Sequence, residues 1–202
     1  MDGSDTPRED KEDASIENMM QHLPAAKERR KSKSKSNTTS KKPRRTGLQR
    51  KVRQHSNVAI LSKNFADRLD ELVESDSITH RSGKELKSAE SAVDAHGQLP
   101  IYYRSGDTVT HIGIITDIII NPNPDSASAK KFREHISKAD TYSEYNDELD
   151  TTTYIVKHGK KLDEPFSMTQ LKKVSDSEPV DENFWRSPAY VFQRDGDFDS
   201  IL

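Results

Sequence analysis

The chain has 202 residues, of which 31% are hydrophobic and 33% charged, and its formal net charge is −2. So polar a composition excludes a wholly globular chain, and the lack of any apolar run of membrane-spanning length, or of a visible signal peptide, argues against a membrane or secreted protein. Cysteine is absent, which excludes disulfides and thiolate metal sites and suits an intracellular protein, cytoplasmic or in the nucleoid or nucleus.

The small net charge hides an uneven distribution. Residues 1–26 carry two basic and seven acidic side chains, residues 27–53 thirteen basic and one acidic, and residues 54–202 seventeen basic and twenty-six acidic. Residues 1–56 show almost no apolar periodicity and are expected to be disordered. Ser15–Leu23 is the exception: Ile16, Met19, Met20 and Leu23 share one side of a helix that Ser15 would cap and Pro24 would end. Such a short helix could dock in the groove of a protein partner. Lys and Arg then alternate with Ser and Thr, without aromatic residues, over Lys27–Arg53. A run of this kind lies along a phosphate backbone and releases counterions, blind to sequence and sensitive to salt. Its candidate contacts to RNA or DNA are Lys41, Lys42, Arg44, Arg45, Arg50, Lys51 and Arg53, and Lys41–Arg45 is similar to a nuclear-localisation patch.

The folded part is expected from Asn57. Asn57–Leu61 reads as a strand, followed by a helix that Asn64 would cap, with Asp67 in its first turn and an apolar stripe of Phe65, Leu69, Leu72 and Val73. Ser77–Arg81 reads as a brief strand and Ser82–Gln98 as a loop with a helical turn near Glu85–Val93. Leu99–Arg104 and Thr108–Ile120 form a hairpin, with Gly106 supplying the positive φ of its turn. The second of these strands is apolar on both parities and should be buried on both faces. Asn121-Pro-Asn-Pro124 ends it. Asp125 would cap a helix reaching about Lys138, with Ala129, Phe132 and Ile136 inward. Asp140–Asp150 is an acidic connector, Thr151–Lys157 a strand, and Lys157–Pro165 a turn region. At Phe166–Val174, Ser167 and Gln170 have capping-box spacing, and Phe166 with Leu171 a hydrophobic staple, which predicts a helix from Met168. Ala189–Gln193 is a last strand, and 195–202 an acidic tail.

This order resembles the PUA-like superfamily, and within it the ASCH and EVE domains. Val58-Ala-Ile-Leu-Ser62 with Phe65-Ala-Asp-Arg68 resembles the ASCH opening; Pro100–Ser105 and Ile112–Thr116, with Gly113, are similar to the central strands; Phe166–Val174 and Phe184–Phe192 resemble the closing helix and strand. The likeness covers roughly residues 57–194. It implies an α+β fold, a small mixed β-barrel with helices at its ends, here preceded by a disordered basic arm. It also implies a cleft beside the barrel that recognises RNA, DNA or a modified base. Some ASCH proteins are amidohydrolases on acylated cytidine, with a pattern close to G-x-K-x-x-T-x-R. Thr79 and Arg81 match it, whereas Glu74 and Asp76 stand where it has glycine and lysine, which counts against that activity; Thr79 would be its nucleophile.

A body with excess acid attracts phosphate only locally. The candidate contacts are Lys63, Thr79 and Arg81 near the first strand and helix, Tyr103 and Arg104 at the hairpin, and Trp185 with Arg186 before the last strand, since aromatic rings stack bases and Arg forks to phosphate. Against this, one of Tyr102 and Tyr103 should be core, and a lone Trp often fills a core edge. His22, His55, His80, His96, His111, His135 and His158 form no metal-ligand spacing, His111 reads as a satisfied barrel residue, and no cofactor motif is present. The expected function is therefore nucleic-acid binding. The alternatives are the hydrolase and an adaptor between proteins.

Overall fold

The computed structural model describes residues 46–75, 77–136, 149–185 and 188–201. The Ser15–Leu23 helix, Lys41, Lys42, Arg44, Arg45, Arg186 and most of the Asp140–Asp150 connector lie outside them. In chain order the elements are α1 (Gly47–Gln54), β1 (Val58–Lys63), α2 (Ala66–Ser75), β2 (Ser77–Ser82), α3 (Lys87–His96), β3 (Leu99–Ser105), β4 (Thr108–Ile120), α4 (Ala127–Arg133), β5 (Thr152–Ser167), a 3-10 turn (Met168–Gln170) and β6 (Ala189–Phe192). The strands form one six-stranded sheet in the order β2-β5-β4-β3-β1-β6, antiparallel except where β1 runs parallel to β3. The fold is α+β, but the expected barrel is not closed: β2 and β6 are edges and do not pair with each other.

Each edge is covered by a short segment, which prevents pairing with another chain. The Thr79 N–H donates to the His135 carbonyl at 2.6 Å, and Ile136 bridges to Thr79. At the other edge Phe192 N donates to Lys172 O at 2.8 Å and Val174 N to Tyr190 O at 2.9 Å. The sheet is strongly rolled. His80 on β2 reaches Tyr103 on β3, with its Nδ1 2.6 Å from the tyrosine hydroxyl, although β5 and β4 lie between these strands in the sheet.

Apolar residues cover both faces, as the hairpin sequence demands. Val58, Ile60, Ile101, Ile115 and Val156 face α2 and α3 together with Leu69, Leu72, Ala89 and Ala92. Ala59, Leu61, Tyr102, Ile112 and Ile114 face the other way, under Phe166, Met168, Leu171, Val180 and Phe198. Val109 joins Ile112 and Ile114 despite its opposite parity. The register between β4 and β5 shifts at Val109/His111, and each bulge reverses the side-chain alternation. Gly106 takes φ +61° at the hairpin turn, as expected.

Several sequence expectations are corrected. Residues 47–54 are not part of a disordered arm but form α1, whose Thr46/Gln49 capping box is complete. Val52 is fully buried and its carbonyl accepts from His96 Nε2 at 3.0 Å, so α1 belongs to the folded unit. The loop expected at Ser82–Gln98 contains the ten-residue helix α3, ended by Gly97 at φ +79°. The strand expected over Thr151–Lys157 continues to Ser167, because β4 pairs with Lys160, Lys161, Phe166 and Ser167 as well as with Thr152–Lys157. Ser167 does cap, accepting from Thr169 N at 3.3 Å, but only one 3-10 turn follows before Leu171 turns extended. Ser126, not Asp125, caps α4, which ends at Arg133. The acidic tail is anchored: Phe198 is buried 4.8 Å from the Tyr102 ring, and the Tyr102 hydroxyl donates to Asp197 at 2.7 Å.

Candidate anion-binding cleft

β6 pairs with Val58–Leu61 only, so the Ser62–Lys63 end of β1 runs on past it. The roll of the sheet brings this end of β1 opposite the Arg81–Ser82 end of β2, and α2 begins immediately beside it. The gap between them is a cleft of about 160 Å³. Lys63, Arg68 and Arg81 bring three cationic side chains to its lining; Asn64, Ser62 and Ser82 add an amide and two hydroxyls; Tyr154, Leu86 and Pro188 complete it. No carboxylate is among these residues. Clefts that bury drug-sized ligands run to about 300 Å³ or more, so this one suits a single small anionic group such as a phosphate. Arg presents a fork of donors to such a group, and Lys a compact charge.

Below the cations lies a neutral, hydrogen-bonded floor. Asn64 Oδ1 accepts from the Phe65 N–H at 2.9 Å, which turns its amide nitrogen to donate to His80 Nε2 at 2.9 Å. Nδ1 therefore holds the imidazole proton and donates to the Tyr103 hydroxyl. Burial, and secondarily the Arg68 charge, lower the His80 pKa from 6.5 to about 3. The ring stays uncharged and serves as a rigid spacer between two tyrosines, edge-on to Tyr103 and Tyr154 at 5.3 and 5.8 Å. Burial pushes the Tyr154 hydroxyl up to about 12, against the opposing hydrogen bond to Ser62, so it too is neutral.

A wider groove of about 420 Å³ adjoins this cleft and shares Leu86 and Pro188 with it. Thr46 and Gln49 at the start of α1 line the groove, with Lys84, Lys87 and Tyr190. A third hollow is lined by Glu178, Asp181 and Glu182 and is unsuited to phosphate.

Of the residues expected to touch nucleic acid, Lys63 and Arg81 meet at the cleft. Thr79, Tyr103 and Arg104 do not reach the surface. Thr79 is 1% exposed and its hydroxyl donates to the Phe132 carbonyl at 2.8 Å. Tyr103 is core, as is Tyr102. Arg104 is buried, donates to the carbonyls of Gly106 and, at 2.7 Å, Phe184, and ties the hairpin turn to the segment before β6. Trp185 is exposed rather than core. Lys51 and Arg53 are spent on α1 packing, donating to Ser175 O at 2.7 Å and Ser91 O at 3.0 Å, while Arg50 is exposed. His111 is buried with its Nδ1 against Thr110, and its Nε2 has no hydrogen-bond partner, so it is not the satisfied residue expected. Arg68 and His80 were missed, because only the fold carries them to Lys63 and Arg81.

Among the described residues no helix is long and apolar enough to cross a membrane, and no cluster of His, Asp or Glu is placed to hold a metal ion. No family model and no curated protein matches the chain. A similar solved structure is the N-terminal domain of Staphylothermus marinus McrB, 15% identical, with a TM-score of 0.38 over 71% of this chain and 92% of that one. A likeness that distant carries no argument about what this chain does.

Proposed function

We propose that this chain is a nucleic-acid-binding module, in which the cleft between the ends of β1 and β2 takes a backbone phosphate and the basic arm adds nonspecific contacts. The observation that carries the reading is the convergence of Lys63, Arg68 and Arg81 on one small cleft, with no carboxylate among its described lining residues, on a body that otherwise carries more acid than base. Such a placement confines phosphate to one point. The arm, with ten basic and one acidic side chains over residues 27–45, supplies the long-range attraction.

The test is fluorescence anisotropy of the full chain with labelled RNA and DNA oligonucleotides at low salt. Lys63→Ala and Arg81→Ala should each weaken binding about tenfold, the cost of one charge-assisted contact. Each should also lower the salt slope by about one ion. Absence of binding, or variants that bind as the parent does, would overturn the reading.

A further inference from the structure

We infer that the nucleic acid taken at this cleft is single-stranded, with the base next to the seated phosphate stacked on Phe65; this rests on the nucleic-acid reading above. Phe65 follows Asn64, which lines the cleft, and its ring lies under the guanidinium of Arg68 at 5.0 Å. The ring is therefore tied to the cleft through Arg68, one face against a cation that also lines the cleft. It is nonetheless 67% exposed. Leu69 and Leu72 fill the buried side of α2 without it. An arginine laid over one face holds the ring in a fixed pose and leaves the opposite face to solvent, which is the arrangement of a stacking platform.

The size of the cleft sets what goes where. About 160 Å³ accommodates a phosphate among three cations but leaves no room for the attached nucleoside. The base must then lie outside, and Phe65 is an exposed aromatic ring that shares Arg68 with the cleft. In a duplex every base is already paired and stacked between neighbours, so no π-face is available; an unpaired strand offers one at each nucleotide. Stacking of this kind tolerates any base and either sugar, so the ligand class is unpaired RNA or DNA without strong sequence preference.

The experiment compares the full chain with Phe65→Ala, Phe65→Trp and Arg81→Ala by anisotropy. The probes are labelled oligothymidylate, oligouridylate, an abasic strand of equal length and an oligo(dA)·oligo(dT) duplex. Phe65→Ala should weaken binding of the two unpaired strands about tenfold and leave the abasic strand unchanged. Phe65→Trp should restore the loss. Arg81→Ala should weaken the base-bearing and abasic strands alike. Thermal melts confirm that the Phe65 variants fold, as an exposed position allows. If Phe65→Ala binds oligothymidylate like the parent while Arg81→Ala does not, the stacking inference fails and the nucleic-acid reading stands. Tighter binding of the duplex than of either unpaired strand also overturns the inference. If none of the probes binds, the underlying reading fails and takes the inference with it.

Discussion

His80 is the residue whose chemistry most depends on its surroundings. It is 3% exposed, held between Asn64 and Tyr103, and its folded-state pKa of about 3 lies below the ordinary 6.5. As pH falls, the unfolded chain takes up the proton first. The associated stability is complete above about pH 6.5 and is lost through the window from 6.5 down toward 3, at about 1.4 kcal/mol per pH unit. His111, also lowered by burial, acts in the same direction. Urea midpoints followed from pH 7 to about 5 should therefore fall more steeply for the parent than for His80→Gln. Equal slopes would show that His80 is not held neutral. Gly159 illustrates a different constraint. A Cβ there would strike the Leu72 side chain and come within 3.0 Å of its carbonyl oxygen, where α2 crosses β5. Gly159→Ala should cost about 1–3 kcal/mol of unfolding free energy, as overpacking does. Thr79, by contrast, matches a hydrolase pattern in sequence, but its hydroxyl is committed to the Phe132 carbonyl. Phe65 sits at helical spacing from Leu69 and Leu72, yet α2 starts only at Ala66 and the periodicity does not reach it.

At the scale of elements, α1 shows how composition can mask a helix. Its capping box, Thr46 with Gln49, is legible in the sequence: Gln49 N donates to Thr46 Oγ1 at 3.2 Å and Thr46 N to Gln49 Oε1 at 2.7 Å. Leu48 and Val52 are its apolar residues, set among basic ones, and two such positions do not stabilise eight residues in water. What holds them is α3, against which Val52 is fully buried, and the bonds from Arg53 to Ser91 and His96 to Val52. A fragment that starts at residue 57 should thus be less stable than one that starts at 46. Val52→Ala in the full chain should cost about 2 kcal/mol, the worth of its buried methyl groups. Denaturant titration decides both; equal midpoints for the two fragments would mean that α1 contributes nothing. The strands were easier to locate because each signal is local: the hairpin turn at Gly106, the apolar runs of β3 and β4, the proline stop after Ile120. The length of β5 was hidden, since Gly159, Pro165 and five charged side chains among residues 157–164 look like turn material. Their partners on β4 impose the extended form, with His158 at φ +54° marking an irregularity.

For the molecule as a whole, charge is divided between a basic leader and a body with excess acid. Binding to a polyanion should then report two separable terms. Removal of residues 27–45 takes away ten basic side chains and should flatten the dependence of log affinity on log salt by several units, at about 0.7 per phosphate contact on a single strand. The cleft variants should each change that slope by about one. Affinity measured across a salt series for the full chain, the deletion and Lys63→Ala separates these terms. A slope unchanged by the deletion would show that the leader does not contact the strand.

The sequence alone determined the apolar hairpin, its turn, the α+β class and the split of charge, because each follows from neighbouring residues or from composition. It also placed Lys63 and Arg81 among the candidates, though not beside each other. Only the tertiary structure decided that the sheet stays open, that Thr79, Tyr103 and Arg104 are sealed inside, and that Arg68 lines the cleft with Phe65 under its guanidinium. The reason is geometric: the cleft is built from segments at opposite sides of the strand order, and only the roll of the sheet, set by packing on both of its faces, brings them together.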